Sequence, residues 1–206
     1  MPFDRRFGAI AAAVFVIVGL GLVHVCGKGS DAVAQSAKQK STANSPVAAP
    51  ASPTVRYGTS ALPQPVLEMR DAIMSAVRSG RIEDLRTAVE LNEIKPAVSD
   101  KSPGDLIAYW RQVSGDGEGR EILAMLGEIL DAGYVTLPIG KDIENNRVYV
   151  WPYFAEVPIG SLTPAQEVEL LRLVPAQAFK EMKQSGRYSH YKVGIGADGT
   201  WHFFTR

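Results

Sequence analysis

The sequence predicts an α+β fold, with a helical N-terminal half packed on a small antiparallel sheet that ends in a β-hairpin. Apolar residues recur at helical spacing from Pro65 to Gly133, and beyond Gly133 they alternate with period two in YVTLP and RVYVW. The chain then closes on KVGIGADGTWHFF, where Asp198-Gly199 between two β-rich runs is a strong hairpin signal.

The first helix opens at Pro65, carries Val66, Met69, Ile73 and Val77 on one stripe, and stops at Gly80. A second follows with Ile82, Leu85 and Val89 inward, and Pro96 lies past its end, so the pair reads as an αα-hairpin. Ser102-Pro103-Gly104-Asp105 reads as an N-cap, a proline in the first turn and an acid at the third helical position, with Leu106, Ile107, Trp110 and Val113 inward. GDGEG breaks the pattern before the most regular amphipathic stretch, Arg120 to Ala132, which Gly133 closes. After the two strands, Thr163-Pro164-Ala165-Gln166 is a capping box, with Val168, Leu171 and Val174 behind it as the inward stripe. Pro175 kinks or restarts this helix, and Phe179 and Met182 extend it to Gly186.

With Asp198 and Gly199 as a two-residue turn, Gly196 pairs with Trp201, Ile195 with His202, Gly194 with Phe203 and Val193 with Phe204. Trp201 and Phe203 would then cover Gly196 and Gly194, while His202 joins Val193 and Ile195 on the other face.

Ahead of these elements the chain reads as a targeting segment and a tether. Arg5 and Arg6 precede an apolar run over 7–26, about the 20 residues that span a bilayer core. Ala32-Val33-Ala34 has the small-x-small form of a signal-peptidase site, so residues 1–34 are a cleaved signal peptide or an inner-membrane anchor, and both place the C-terminus in the periplasm. Residues 35–65, rich in Ala, Ser and Pro, read as a disordered linker, which leaves 66–206 as a single globular domain.

Composition removes several function classes. With 22 basic and 22 acidic residues the formal charge is zero, and no cluster of Lys and Arg forms a nucleic-acid footprint. The single cysteine, Cys26, lies in the apolar run, which excludes a disulfide or a cysteine nucleophile in the globular part. No serine sits in a Gly-x-Ser-x-Gly setting. His190 and His202 fall on opposite faces of the predicted hairpin, and GDGEG lacks the ligand spacing of a calcium loop, so neither a metal nor any other cofactor is expected.

VYVWPYFAEVP is the stretch that leaves function open. Its alternating residues are apolar or aromatic on both faces, which describes either a strand packed on both sides or an aromatic groove at a sheet edge, where Pro152 ends the ladder. In the groove reading Tyr149, Trp151, Tyr153, His190 and Trp201 would line a ligand site. The favoured function is a non-catalytic envelope module that binds a protein, a peptide or a cell-wall component. The alternative is a small-molecule pocket or weak enzyme in a cone-like sheet.

The segments SGRIEDLRTAVELNE, VYVWPYFAE, LTPAQ and GIGADGTW resemble exported proteins of alphaproteobacteria, a likeness that covers most of 66–206 and implies no particular activity or site. The terminal GIGADGTWHFF is also similar to the closing hairpin of the nuclear-transport-factor-2-like cone, a fold that hosts both enzymes and binders. The targeting reading has a direct test: a periplasm-dependent reporter fused after Arg206 is expected to be active, and activity of a cytoplasm-only reporter there would contradict it.

Overall fold

The computed structural model describes residues 53–99, 103–140 and 146–206. The apolar run 7–26, the Ala32–Ala34 motif and most of the predicted linker lie outside these residues. Among the described residues no helix is long and apolar enough to cross a membrane.

Helix α1, Gln64–Ser79, starts with Pro65 in its first turn and ends where Gly80, at φ 68°, turns its N–H back onto the Ala76 and Val77 carbonyls. Helix α2, Leu85–Glu90, follows a 3-10 turn at Ile82–Asp84. Helix α3, Leu106–Val113, is capped by Asp105, and the expected cap Ser102 lies outside the described residues. The Asp105 carboxylate accepts the Ile107 and Ala108 N–H groups at 2.9 and 3.2 Å. Leu106, Ile107 and Trp110 face inward as expected, but Val113 is exposed at the C-terminal end of this short helix.

Helix α4, Arg120–Asp131, carries Ile122, Leu123, Leu126, Ile129 and Leu130 into the core. GDGEG is its entry loop. Asp116 accepts the N–H groups of Gly119 and Arg120 at 3.1 Å each, and the Ser114 hydroxyl as well, so a side chain satisfies donors that the helix start leaves open. Arg70 of α1 reaches Asp131 at 2.7 Å and the Leu130 carbonyl at 3.2 Å, which ties α1 to the end of α4.

Strands β1 (Val135–Pro138), β2 (Arg147–Trp151), β3 (Lys192–Gly196) and β4 (Trp201–Thr205) form one antiparallel sheet in chain order. β2 is an interior strand and stops at Trp151, immediately before Pro152, so the proline marks its end and not a sheet edge. Tyr149 and Trp151 face α1 and α4 with Val193, Ile195, Trp201 and Phe204. Val148 and Val150 face the opposite way, onto Tyr153, Phe154, Ile159, Leu170 and Met182. The aromatic stretch is thus apolar on both faces because each face has its own cover.

The second cover is built from helices α5 (Pro164–Leu173) and α6 (Ala176–Ser185). The capping box at Thr163 and Gln166 is present, and Pro175 restarts the helix. The inward stripe of α5 differs from the expected one: Leu170 is buried, while Val168 is 63% exposed and Leu171 42%. Val174 is buried, but it sits in extended backbone past the helix end, so helical spacing counted back from it points to the wrong side.

The hairpin register follows the expected one through Gly194 and departs from it from Ile195 to the turn. Val193 pairs with Phe204 and Gly194 with Phe203, but Ile195 pairs with Trp201, which leaves His202 as an extra residue on β4. The cause is the turn. Gly199 N–H donates to the Gly196 carbonyl at 2.9 Å and Gly196 N–H to that of Thr200 at 2.8 Å, so the loop has three residues, with only Gly199 needing positive φ, at 89°. Phe203 does cover Gly194, where a Cβ would lie 2.3 Å from its ring. Trp201 does not cover Gly196. It turns to the helical side and stacks on Trp110 with centroids 5.5 Å apart.

Two measurements test this packing. Trp151→Ala and Trp201→Ala remove side chains that are 1% and 0% exposed, and each is expected to cost roughly 3 to 5 kcal/mol in thermal or denaturant unfolding. Unchanged stability in either would contradict the burial. The Asp116 carboxyl is held down at about 2, first by the Ser114 hydroxyl and then by the backbone N–H groups it caps. A carboxyl depressed in the folded state stabilises it above the unfolded value of about 3.9, and that contribution is lost as pH falls toward the folded value. The melting temperature should therefore fall between about pH 4 and pH 2 less steeply in Asp116→Asn than in the parent protein. Equal slopes would contradict the assignment.

Candidate functional site

The structure does not bring the five aromatic and histidine candidates to one surface. Tyr149 and Trp151 pack with Tyr134, whose ring centroid is 6.0 and 5.0 Å from theirs. Trp201 is engaged with Trp110, and Tyr153 lies on the opposite face of the sheet against Phe154 at 4.0 Å. His190 is half-buried and meets Tyr191 edge-on at 5.5 Å. Its pKa is lowered, first by burial and then by the charge of Arg206, with Glu121 opposing.

Tyr153 nevertheless takes part in a polar contact. Its hydroxyl donates to Glu169 of α5 at 3.1 Å, and Tyr57 donates to the same oxygen at 3.0 Å. Burial pushes the Tyr153 phenol far up, so it stays neutral and serves as a donor. This contact pins the segment before α1 to α5.

Of the five candidates, Tyr149 lines a cleft rich in polar residues. Arg56 bridges Tyr134 in antiparallel fashion, with N–H to O distances of 2.9 and 2.8 Å, and Thr136 pairs with Tyr149 and Pro138 with Arg147 across β1 and β2. Directly paired residues, and residues two apart on a strand, share a face. That rule gathers Arg56, Tyr134, Thr136, Tyr149 and Arg147 on one side of the sheet. At the Pro138–Arg147 end of these strands, Arg56, Thr136, Tyr149 and Arg147 line a cleft of about 280 Å³ together with Thr54, Leu137 and Pro138.

The lining includes two arginines, two threonines and a tyrosine, and no carboxylate among the described residues. Neither Arg56 nor Arg147 forms an ion pair among the described residues, which is also true of Arg78, Arg187 and Arg206, whereas Arg70, Arg81, Arg86, Arg111, Arg120 and Arg172 are paired. The Tyr134 hydroxyl is buried with no hydrogen-bond partner among the described residues. Its pKa is raised, chiefly by burial, with the Arg56 charge acting against that rise. The described groups of the cleft are guanidinium and hydroxyl donors, a set chemically suited to an anion.

Two other depressions carry less. One of about 480 Å³ lies between Pro65, Leu91, Ile94 and the Asp198-Gly199 turn, but its apolar walls Leu91 and Ile94 are 62% and 78% exposed and shield little. Another, of about 260 Å³, surrounds Tyr57, Glu128, Asp131, Glu169 and Arg172, whose polar groups are already paired with one another or with Arg70. Among the described residues no group of three or more His, Cys, Asp and Glu is placed to hold a metal ion.

In comparisons with known proteins, no family model, no curated protein and no solved structure matches this chain. The class rests on the fold alone, an α+β protein whose four-stranded antiparallel sheet is covered on both faces.

Sequence reasoning missed Thr54, Arg56, Tyr134, Thr136 and Arg147. Arg56 fell inside the predicted linker, and the signal that could have drawn it out is Val55-Arg56-Tyr57, a β-forming triplet in a run of Ala, Ser and Pro. The packed unit takes in Val55 to Tyr57, ahead of the Pro65 boundary. The pairing of β1 with β2, which brings Thr136 to Arg147, needs a register that no turn motif in 139–146 supplies.

Proposed function

We propose that the protein is a non-catalytic binding module of the cell envelope, exported by its N-terminal segment and either tethered to the inner membrane by residues 7–26 or released, and that it recognises an anionic group on its ligand. The observation that carries this reading is the pair Arg56 and Arg147, two cations without described acidic partners at one cleft that also offers Thr54, Thr136 and Tyr149 as hydroxyl donors. Guanidinium groups bind carboxylate and phosphate through paired charge-assisted hydrogen bonds. The carboxylates of a partner protein, a peptide or a cell-wall component meet that requirement.

Supporting the non-catalytic reading, the stretch that could have formed an aromatic active site is taken up by packing, since Trp151, Tyr153 and Trp201 are all at or below 1% exposure. A thermal-shift series with chloride, acetate, phosphate and sulfate at constant ionic strength tests the proposal. Acetate or phosphate should raise the melting temperature of the parent protein by mass action. The rise should be largely lost in Arg56→Ala and Arg147→Ala. No anion-specific rise, or one that both variants keep, would overturn the proposal.

A further inference from the structure

The two edges of the sheet are finished differently. At β4, the Trp201 N–H donates to the Asn92 side chain at 2.8 Å, the His202 carbonyl accepts the Ala97 N–H at 2.9 Å, and the Phe204 N–H donates to the Ala97 carbonyl at 2.8 Å. A side chain and a one-residue parallel bridge thus close that edge.

At β1 the cover is incomplete. Ile139 N–H donates to the Asn146 carbonyl at 2.8 Å. Antiparallel pairing alternates, so Leu137 and Val135 also point their peptide groups at β2, while Thr136 and Tyr134 point theirs away. Tyr134 is met by Arg56. In the same register the residue opposite Thr136 would be Thr54, but the bridge does not extend to it, and Thr54 and Thr136 both line the cleft. The next outward position is Pro138, which has no N–H to offer. One rung of the sheet, the N–H and C=O of Thr136, therefore opens into the cleft that holds Arg56 and Arg147.

We infer that the ligand of this cleft is a short extended peptide bearing a carboxylate, which adds one antiparallel rung at Thr136 and places its carboxylate between Arg56 and Arg147. The inference rests on the anion-binding reading above and narrows it. A simple anion such as acetate would use the arginines and leave the Thr136 carbonyl without a donor, and a sugar phosphate offers hydroxyls but not the N–H and C=O spacing of a strand. A peptide backbone supplies both the acceptor and the donor that the open rung requires. The chain's own upstream segment is a poor occupant on charge, because residues 32–52 contain Lys38 and Lys40 and no acidic residue. Arg56 on one side and Pro138 on the other limit the added strand to a short one, which fits a chain end or a loop tip better than a long strand.

The test is an amide-resolved NMR titration of the full-length chain in detergent micelles, with four probes: acetate, acetyl-trialanine with a free C-terminus, acetyl-trialanine amide, and acetyl-Ala-Asp-Ala amide. The free-carboxylate peptide should move the Thr136 amide resonance and the arginine side-chain resonances together. Its affinity should fall about tenfold or more in Arg147→Ala. Arg147→Lys, which keeps the charge, should retain part of the binding and controls for a folding defect. Binding by the free-acid peptide alone assigns the site to a chain terminus, and binding by the Asp peptide as well assigns it to any accessible carboxylate. The neutral amide should bind at least tenfold more weakly than either. If acetate perturbs the arginines but neither acidic peptide moves Thr136, the strand-addition inference fails and the anion site stands. If no probe perturbs the cleft, both fail.

Discussion

Everything in the globular part depends on burying both faces of a five-residue strand. Along β2, Val148 and Val150 alternate with Tyr149 and Trp151, so neither side can be left to water. The demand is met twice. Helices α1 and α4 cover one face, and the 153–161 segment with α5 and α6 covers the other. Fully burying an aromatic or aliphatic side chain contributes about 1.5 to 3 kcal/mol, so exposing either face would forfeit the contribution of at least two such residues.

The aromatic groups give this arrangement its internal order. On the helical side Tyr134, Tyr149 and Trp151 form one group, and Trp110, Trp201, Phe204 and Tyr191 form another. Trp201 enters the second group only because the three-residue turn makes His202 the extra residue on β4. Without that bulge its indole would face the other way. Across the sheet, Glu169 holds Tyr57 and Tyr153 together, so the segment that supplies Arg56 is anchored within one residue of it. The position of Arg56 in the cleft thus depends on a contact made on the opposite side of the sheet.

Much of this order was legible in the sequence, and the failures have physical reasons. The helix stops at Gly80 and Gly186, the capping box at Thr163 and the two-sided apolar character of RVYVW are local signals, and each appears where the sequence places it. The register departs from Ile195 onward because Asp-Gly suits both a two-residue and a three-residue turn, and here the glycine serves the longer one. The stripe of α5 was misread because Val174 follows the helix in extended backbone. The cleft was the least legible feature. Arg56 and Arg147 are 91 positions apart in the numbering of the chain and meet only through the pairing of two segments to β1, a long-range register that no single window of sequence contains.

The proposed function rests on the cleft at the corner of the sheet, while Trp151, Tyr153 and Trp201 of the aromatic set are taken up by packing. The aromatics fix the strands, and the strands hold two arginines and an open rung in one cleft. Site-resolved native-state hydrogen exchange at the amides of Val148 to Trp151 tests the central claim, that β2 is an interior strand buried on both faces. The account predicts that these amides exchange only through global unfolding, alongside those of β3. Exchange of Tyr149 or Trp151 at rates typical of loops would place β2 at an exposed edge and contradict it.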